Sequence, residues 1–198
     1  LAGALALRTH RPILLVVAHL DEADEDLDDL KLMLRIDADF EAERFGALEV
    51  LPGESSISLE LLAERLAVTR LLAAGRMPNL LVAPIQALMQ AVPTADALDH
   101  YSLNICTGQT LSPGQLLDWL DQCGYRRTDT LEQPADFATR GGIIDLYPPA
   151  GTAQTEHDSE HVLGPIRLDY FGDTVESIHQ IDLETMGSAV RLERVQIL

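Results

Sequence analysis

The run DFATRGGIIDLYPP (residues 136–149), with its continuation PIRLDYFGDTVESIHQID (residues 165–182), reads as a meander of short antiparallel strands. Ile143–Tyr147 is a β-favouring apolar run, entered through Gly141-Gly142 and stopped by Pro148-Pro149. Ile166–Phe171 and Thr174–Ile181 are two more, joined by Gly172-Asp173, a pair suited to a tight hairpin turn. Alternation puts Ile166, Leu168 and Tyr170 on one side of the strand and Arg167, Asp169 and Phe171 on the other. A phenylalanine beside an arginine and an aspartate departs from an ordinary solvated face. Phe and Arg are both enriched where proteins meet. Two readings stay open: this face is an interface, or Phe171 packs under a neighbouring loop.

Upstream of the meander, apolar strand candidates alternate with helical patterns. Pro12–Val17 and Leu80–Ala83 are short continuous apolar runs suited to strands buried on both faces. Ala47–Leu51 is a third strand candidate, ended by Pro52-Gly53. Ser58–Ala74 is the clearest helix, with Ser58 as its cap and Leu61, Leu62, Arg65, Leu66, Thr69 and Leu72 at helical spacing. Pro84–Gln90 opens a short helix. The alternation predicts an α/β part, a parallel sheet with flanking helices resembling a degenerate nucleotide-binding domain. Ser112-Pro113 then caps a helix ending at Gly124, and strands follow one another to the end, which predicts a smaller α+β domain with an antiparallel sheet. The expected domains are 1–102, 103–189, and a final strand, 190–198, that returns to the first domain or leads into the next.

Net charge narrows the function. The chain carries −18, with 32 acidic residues against 14 basic ones, of which Lys31 is the single lysine. Nucleic-acid binding draws on Lys and Arg neutralising phosphates, so negligible duplex DNA binding is expected. Leu20–Leu30 holds seven carboxylates and reads as the acidic start of a helix, with Leu27, Leu30, Met33 and Leu34 as its apolar stripe. It lacks the glycine and ligand spacing of a calcium loop. The polar insertion Gly151–Gly164 carries His157 and His161 four apart, but no glutamate follows the first histidine, and a mobile loop is the expectation. Two cysteines, Cys106 and Cys123, make no disulfide framework and fit a reducing compartment. No apolar run reaches the ~20 residues of a membrane span, so no membrane partner is expected.

A strand-end nucleotide site would need a GxxxxGK[ST] run opening a helix, and none occurs in the 198 residues. The chain starts at Leu1 rather than Met and reads as part of something longer, so a phosphate loop upstream stays open. No catalytic set links the scattered serines, histidines and carboxylates. Three functions remain: a module gripped by another protein, an enzyme fragment that binds a nucleotide or metal, or a scaffold packed against its own chain.

GYRRTD (124–129), DFATRGGIIDLYPP and IRLDYFGDTVESIHQID together closely resemble domain 2 of UvrB and of the transcription-repair coupling factors. LPGESSISLELLAERLAVTRLLAAG (51–75) and LLVAPIQALMQAVP (80–93) resemble the coupling factors. UvrB is expected to carry an isoleucine-tyrosine-glycine-leucine-glycine run where this chain has QALMQ (86–90). The resemblance implies an N-terminal UvrB-like module, cytoplasmic and bacterial, that has lost its ATP site. Such a module recruits UvrA to stalled RNA polymerase for nucleotide excision repair. ATP and magnesium would serve motor domains elsewhere in a DNA-translocating full-length protein, and no cofactor is implied here. Polymerase and DNA would be met only through those other domains, while the C-terminal domain of the same chain would mask the UvrA surface. Carried over residue by residue, the UvrA contacts fall on Arg140 of the TRG run and on Arg167 and Phe171 of RLDYF. Tyr170 stands where the family often has phenylalanine. The alternative is a UvrB-like nucleotide-binding or helicase-related fragment. On the recruitment reading, altering Arg167 or Phe171 should abolish capture and leave the melting temperature nearly unchanged.

Overall fold

Strand Leu80–Pro84, buried at every position, is the axis of the first half of the chain. The computed structural model describes residues 2–19, 22–23, 27, 40–48, 58–155, 161–183, 185 and 187–198. Outside them lie Lys31, most of the acidic run, its stripe residues Leu30, Met33 and Leu34, Pro52-Gly53, and His157. The chain divides into two units, Leu1–Ala95 and Asp96–Leu198.

In the first unit, α1 (Ala2–Thr9), β1 (Ile13–Val17), β2 (Ala42–Arg44), α2 (Leu59–Ala73), β3 (Leu80–Pro84) and α3 (Ile85–Met89) follow in order. The strands form a parallel sheet, β1-β3-β2. Alternate β3 residues serve opposite faces. Leu81 and Ala83 pack with Phe45, Ala47, Val68 and Ala87, while Leu80 and Val82 pack with Val17, Ala23 and Leu27. That is the α/β sheet expected, with β3 buried on both faces. β1 is not so buried, because it lies at the edge of the described sheet and leaves Leu14 and Val16 exposed.

Two further differences have physical causes. The strand expected at Ala47–Leu51 is displaced upstream to β2; Glu49–Leu51 lie outside the described residues. At Leu48 the backbone is taken up by a side chain, with Gln90 Oε1 accepting from Leu48 N (2.8 Å) and Gln90 Nε2 donating to Leu48 O (2.9 Å). Helix α2 begins at its Ser58 cap as expected, yet its buried residues are Ala63, Arg65, Val68 and Thr69 rather than the leucines. The rotation follows from Arg65. Its guanidinium donates to the carbonyls of Gly46, Ala87 and Gln90 and lies 4.1 Å over the Phe45 ring. Burial lowers the pKa of this guanidinium.

The second unit contains most of α4 (Ala95–His100), then β4 (Leu103–Cys106), α5 (Pro113–Gln122), β5 (Arg126–Arg127), β6 (Asp136–Arg140), β7 (Ile143–Leu146), β8 (Gly151–Gln154), β9 (His161–Val162), β10 (Ile166–Phe171), β11 (Thr174–Ile181), β12 (Ser188–Leu192) and β13 (Arg194–Ile197). The antiparallel part expected is divided, among the described residues, into two sheets. Six strands run β12-β11-β10-β7-β6-β5, with only β5 and β6 parallel, and four run β4-β13-β8-β9. The supposed loop after Gly151 therefore begins as a strand, and the last strand of the chain, β13, lies between β4 and β8. Close approach requires Gly151, since a Cβ there would stand 2.3 Å from the Gln196 carbonyl oxygen.

Helix α5 has the Ser112 capping box, and its Leu116 and Leu120 pack between the sheets. Around them lie Ile105, Val195 and Ile197 from one sheet and Ile144, Ile166, Leu168, Val175, Ile178 and Leu192 from the other. One face of the six-stranded sheet is thus core. The other face is the candidate site.

Candidate protein-docking face

Strand register assigns residues to the outer face. Ala138, Asp145, Arg167, His179 and Arg191 form one row across β6, β7, β10, β11 and β12. Arg140, Ile143, Asp169 and Ser177 form the next. Beyond it Phe171 stands opposite Thr174, beside the hairpin turn where Gly172 takes φ 61°. A register shift after Asp169 lets both Val175 and Ile178 reach the core, while β10 keeps its expected alternation.

Phe171 is 80% exposed, so the loop-packing reading does not hold in this structure. Arg140 is also exposed, and its Nη2 donates to the Asp129 carbonyl at 3.0 Å. Arg167 is different. Its Nε and Nη2 donate to the two carboxylate oxygens of Asp145 at 2.7 and 2.8 Å. Asp145 is almost wholly buried, and these hydrogen bonds raise the Arg167 pKa against the opposing effect of burial. The guanidinium is therefore aimed by the fold and part of the fold at once. Exchanging it for glutamate would set a second carboxylate against a buried one, so the expectation of an unchanged melting temperature fails at Arg167.

Register also brings in residues that the sequence reading left aside. Ser177 Oγ donates to Asp169 Oδ2 at 2.6 Å, and His179 Nδ1 lies 3.4 Å from the same oxygen. With the hairpin placed at Gly172-Asp173, pairing outward would have reached Ser177 and His179, but the bulge displaces the count by one. Asp145 carried a signal of its own, as the one charge inside the apolar run IIDLY.

Among the described residues, the face is open at the Phe171 end. At the other, Leu131 from the β5–β6 loop covers Ala138 and Ile181, with Tyr147 against them. There Asp136, fully buried, accepts from Arg126 Nε (3.0 Å) and from the backbone of Glu132 and Gln133 (3.1 Å each), which fixes that covering loop. The arrangement offers fixed cations, a fixed carboxylate and one projecting aromatic ring.

Residues 103–198 match the family model of the UvrB interaction domain. The chain is also 32% identical over 196 residues to the transcription-repair-coupling factor of Bacillus subtilis, covering 98% of this chain. It is 29% identical over 192 residues to that of Staphylococcus epidermidis and 27% identical over 191 to that of Staphylococcus aureus, covering 96% of this chain in each case. The chain spans about 15% of the length of these relatives.

Proposed function

From a chain homologous to the N-terminal region of transcription-repair-coupling factors, with a UvrB interaction domain in residues 103–198, we propose that the open end of the six-stranded sheet binds UvrA and so brings nucleotide excision repair to stalled RNA polymerase. The observation that carries this reading is Phe171, fully projecting on the face where Arg140 and Arg167 are held. A partner with carboxylates around an apolar recess satisfies all three. Isolated exposed apolar residues are common, but one framed by oriented guanidiniums has the composition of an interface anchor. In the full-length protein, a translocase driven by ATP and magnesium in other domains, the C-terminal domain would cover this face until it is needed.

Co-elution of the chain with UvrA from the same organism tests the proposal. Capture by the native chain, lost in Phe171→Ala, is expected. Failure of the native chain to co-elute at micromolar concentration overturns it. The same reading leaves this chain without a nucleotide to bind. Calorimetry with ATP and magnesium should show no saturable heat, and a defined stoichiometry would favour the nucleotide-binding alternative.

A further inference from the structure

Where the chain leaves β12 and enters β13, the second unit opens a groove of about 610 Å³ lined by Cys106, Thr107, Gln154, Arg191, Glu193 and Arg194. Glu193 is the single residue between β12 and β13, which lie in different sheets. The crossing is fixed by the backbone: Thr107 N donates to Glu193 O at 2.9 Å, Glu193 N to Gln154 O at 2.9 Å, and Thr107 Oγ1 to Leu192 O at 3.2 Å. Those donors are spent, so recognition in the groove falls to side chains.

The two arginines are what set the groove apart. Arg126, Arg127, Arg140 and Arg167 each donate to an acceptor of the chain. Arg191 and Arg194 are exposed and make no ion pair or side-chain hydrogen bond with the described residues. In a chain of −18 the fold had carboxylates in excess to give them. Arg194 stands in register between Gln154 and Cys106, so its row faces the groove as a unit. Glu193 supplies an acceptor in the same groove. A polyphosphate would meet Arg191 and Arg194 but has no hydrogen-bond donor to offer Glu193 or Gln154. An extended peptide offers both kinds of group, carboxylates for the guanidiniums and backbone N–H donors for Glu193 and Gln154.

We propose that this groove docks an extended acidic segment of a partner protein, its carboxylates on Arg191 and Arg194 and its backbone donors on Glu193 and Gln154. Arg191 ends the row that holds Arg167, but Phe171 and Arg140 take no part in the groove, so the two sites are tested separately.

Cys106 gives a direct readout, because it lines the groove while Cys123 packs against the core, where burial raises its pKa. Iodoacetamide modification of the two thiols in this chain is followed by mass spectrometry. The probes are an octapeptide of alternating Glu and Gly, its Gln counterpart, and inorganic phosphate. The Glu peptide should slow Cys106 relative to Cys123, and the other two should not. The double variant Arg191→Gln/Arg194→Gln should keep its melting temperature and bind the Glu peptide at least about tenfold more weakly, as losing two charge-assisted contacts requires. The proposal is overturned if Cys106 reacts at one rate with and without the Glu peptide. It is equally overturned by undiminished protection in the double variant, or by phosphate protecting as well as the peptide.

Discussion

The two ends of the outer sheet face differ in one respect that decides what each is for. At the Asp136 end a loop lays Leu131 over Ala138 and Ile181, and a buried carboxylate ties that loop down. At the Phe171 end nothing among the described residues covers the ring. The same strands run through both ends, so their backbone stability is shared. What changes is whether the apolar surface is buried by the chain or left for another molecule. Substitutions at the covered end should therefore unfold the unit, those at the open end should spare it, and Arg167, in the row between, should do some of both.

The largest expected effect lies in that middle row. Arg167→Ala strands a buried carboxylate, and breaking such a pair costs about 3 kcal/mol or more. In a unit of this size that is a fall in melting temperature on the order of 10 °C or more. Adding Asp145→Ala should recover much of it, because the unpaired charge goes too. Thermal melts of the two single variants and the double variant check this. An Arg167→Ala melt matching the native chain would erase the distinction between middle and open end.

Next come the residues of the open end. Phe171→Ala should melt with the native chain and lose about 2 kcal/mol of UvrA binding, roughly thirtyfold. Unfolding by Phe171→Ala would show that the ring is core after all. Arg140→Ala should lose about 1 kcal/mol of binding, since its guanidinium is solvated and screened, and that loss should shrink as salt rises. Full-strength capture by both variants, each folded, would remove the open end as the docking site.

Local rules read much of this from the sequence, and long-range ones account for what they missed. The cap at Ser112, the hairpin at Gly172-Asp173 and the alternation of β10 depend on neighbours in the chain, and each stands in the structure. Leu80–Ala83 was legible because a strand buried on both faces writes a continuous apolar run. Arg65 was read as one of a helical stripe, whereas its place is set by three carbonyls about twenty residues away. Asp145 and Arg167 are 22 residues apart and meet only through sheet register, so neither announced that the docking arginine is also a strut. The division into two sheets likewise rests on pairing across the whole unit: β13 joins β4 some 90 residues upstream.

The smallest effect concerns Tyr170, on the core side of the strand that carries Phe171. Its hydroxyl is buried without a hydrogen-bond partner among the described residues, and burial pushes the phenol pKa up to about 12. A buried polar group left unpaired carries its full desolvation penalty. Tyr170→Phe should therefore raise stability at neutral pH by about 1 kcal/mol and leave the outer face, and with it UvrA binding, unchanged. The sign of the alkaline response follows from the shift. The phenol ionises near pH ~10 in the unfolded chain and only near about 12 when folded. Below the lower value both states hold the proton and the stability is complete. Between the two values unfolding releases it, so stability falls as the pH rises. Tyr125, whose pKa burial also raises, donates to the Leu198 carbonyl at 2.7 Å and should sustain part of that fall in the variant. Denaturant melts from pH 8 to about 11 should then show a shallower decline for Tyr170→Phe than for the native chain. Parallel declines, or a variant less stable at neutral pH, would mean that the hydroxyl has a partner in solution and that this side of β10 is wetter than its packing implies.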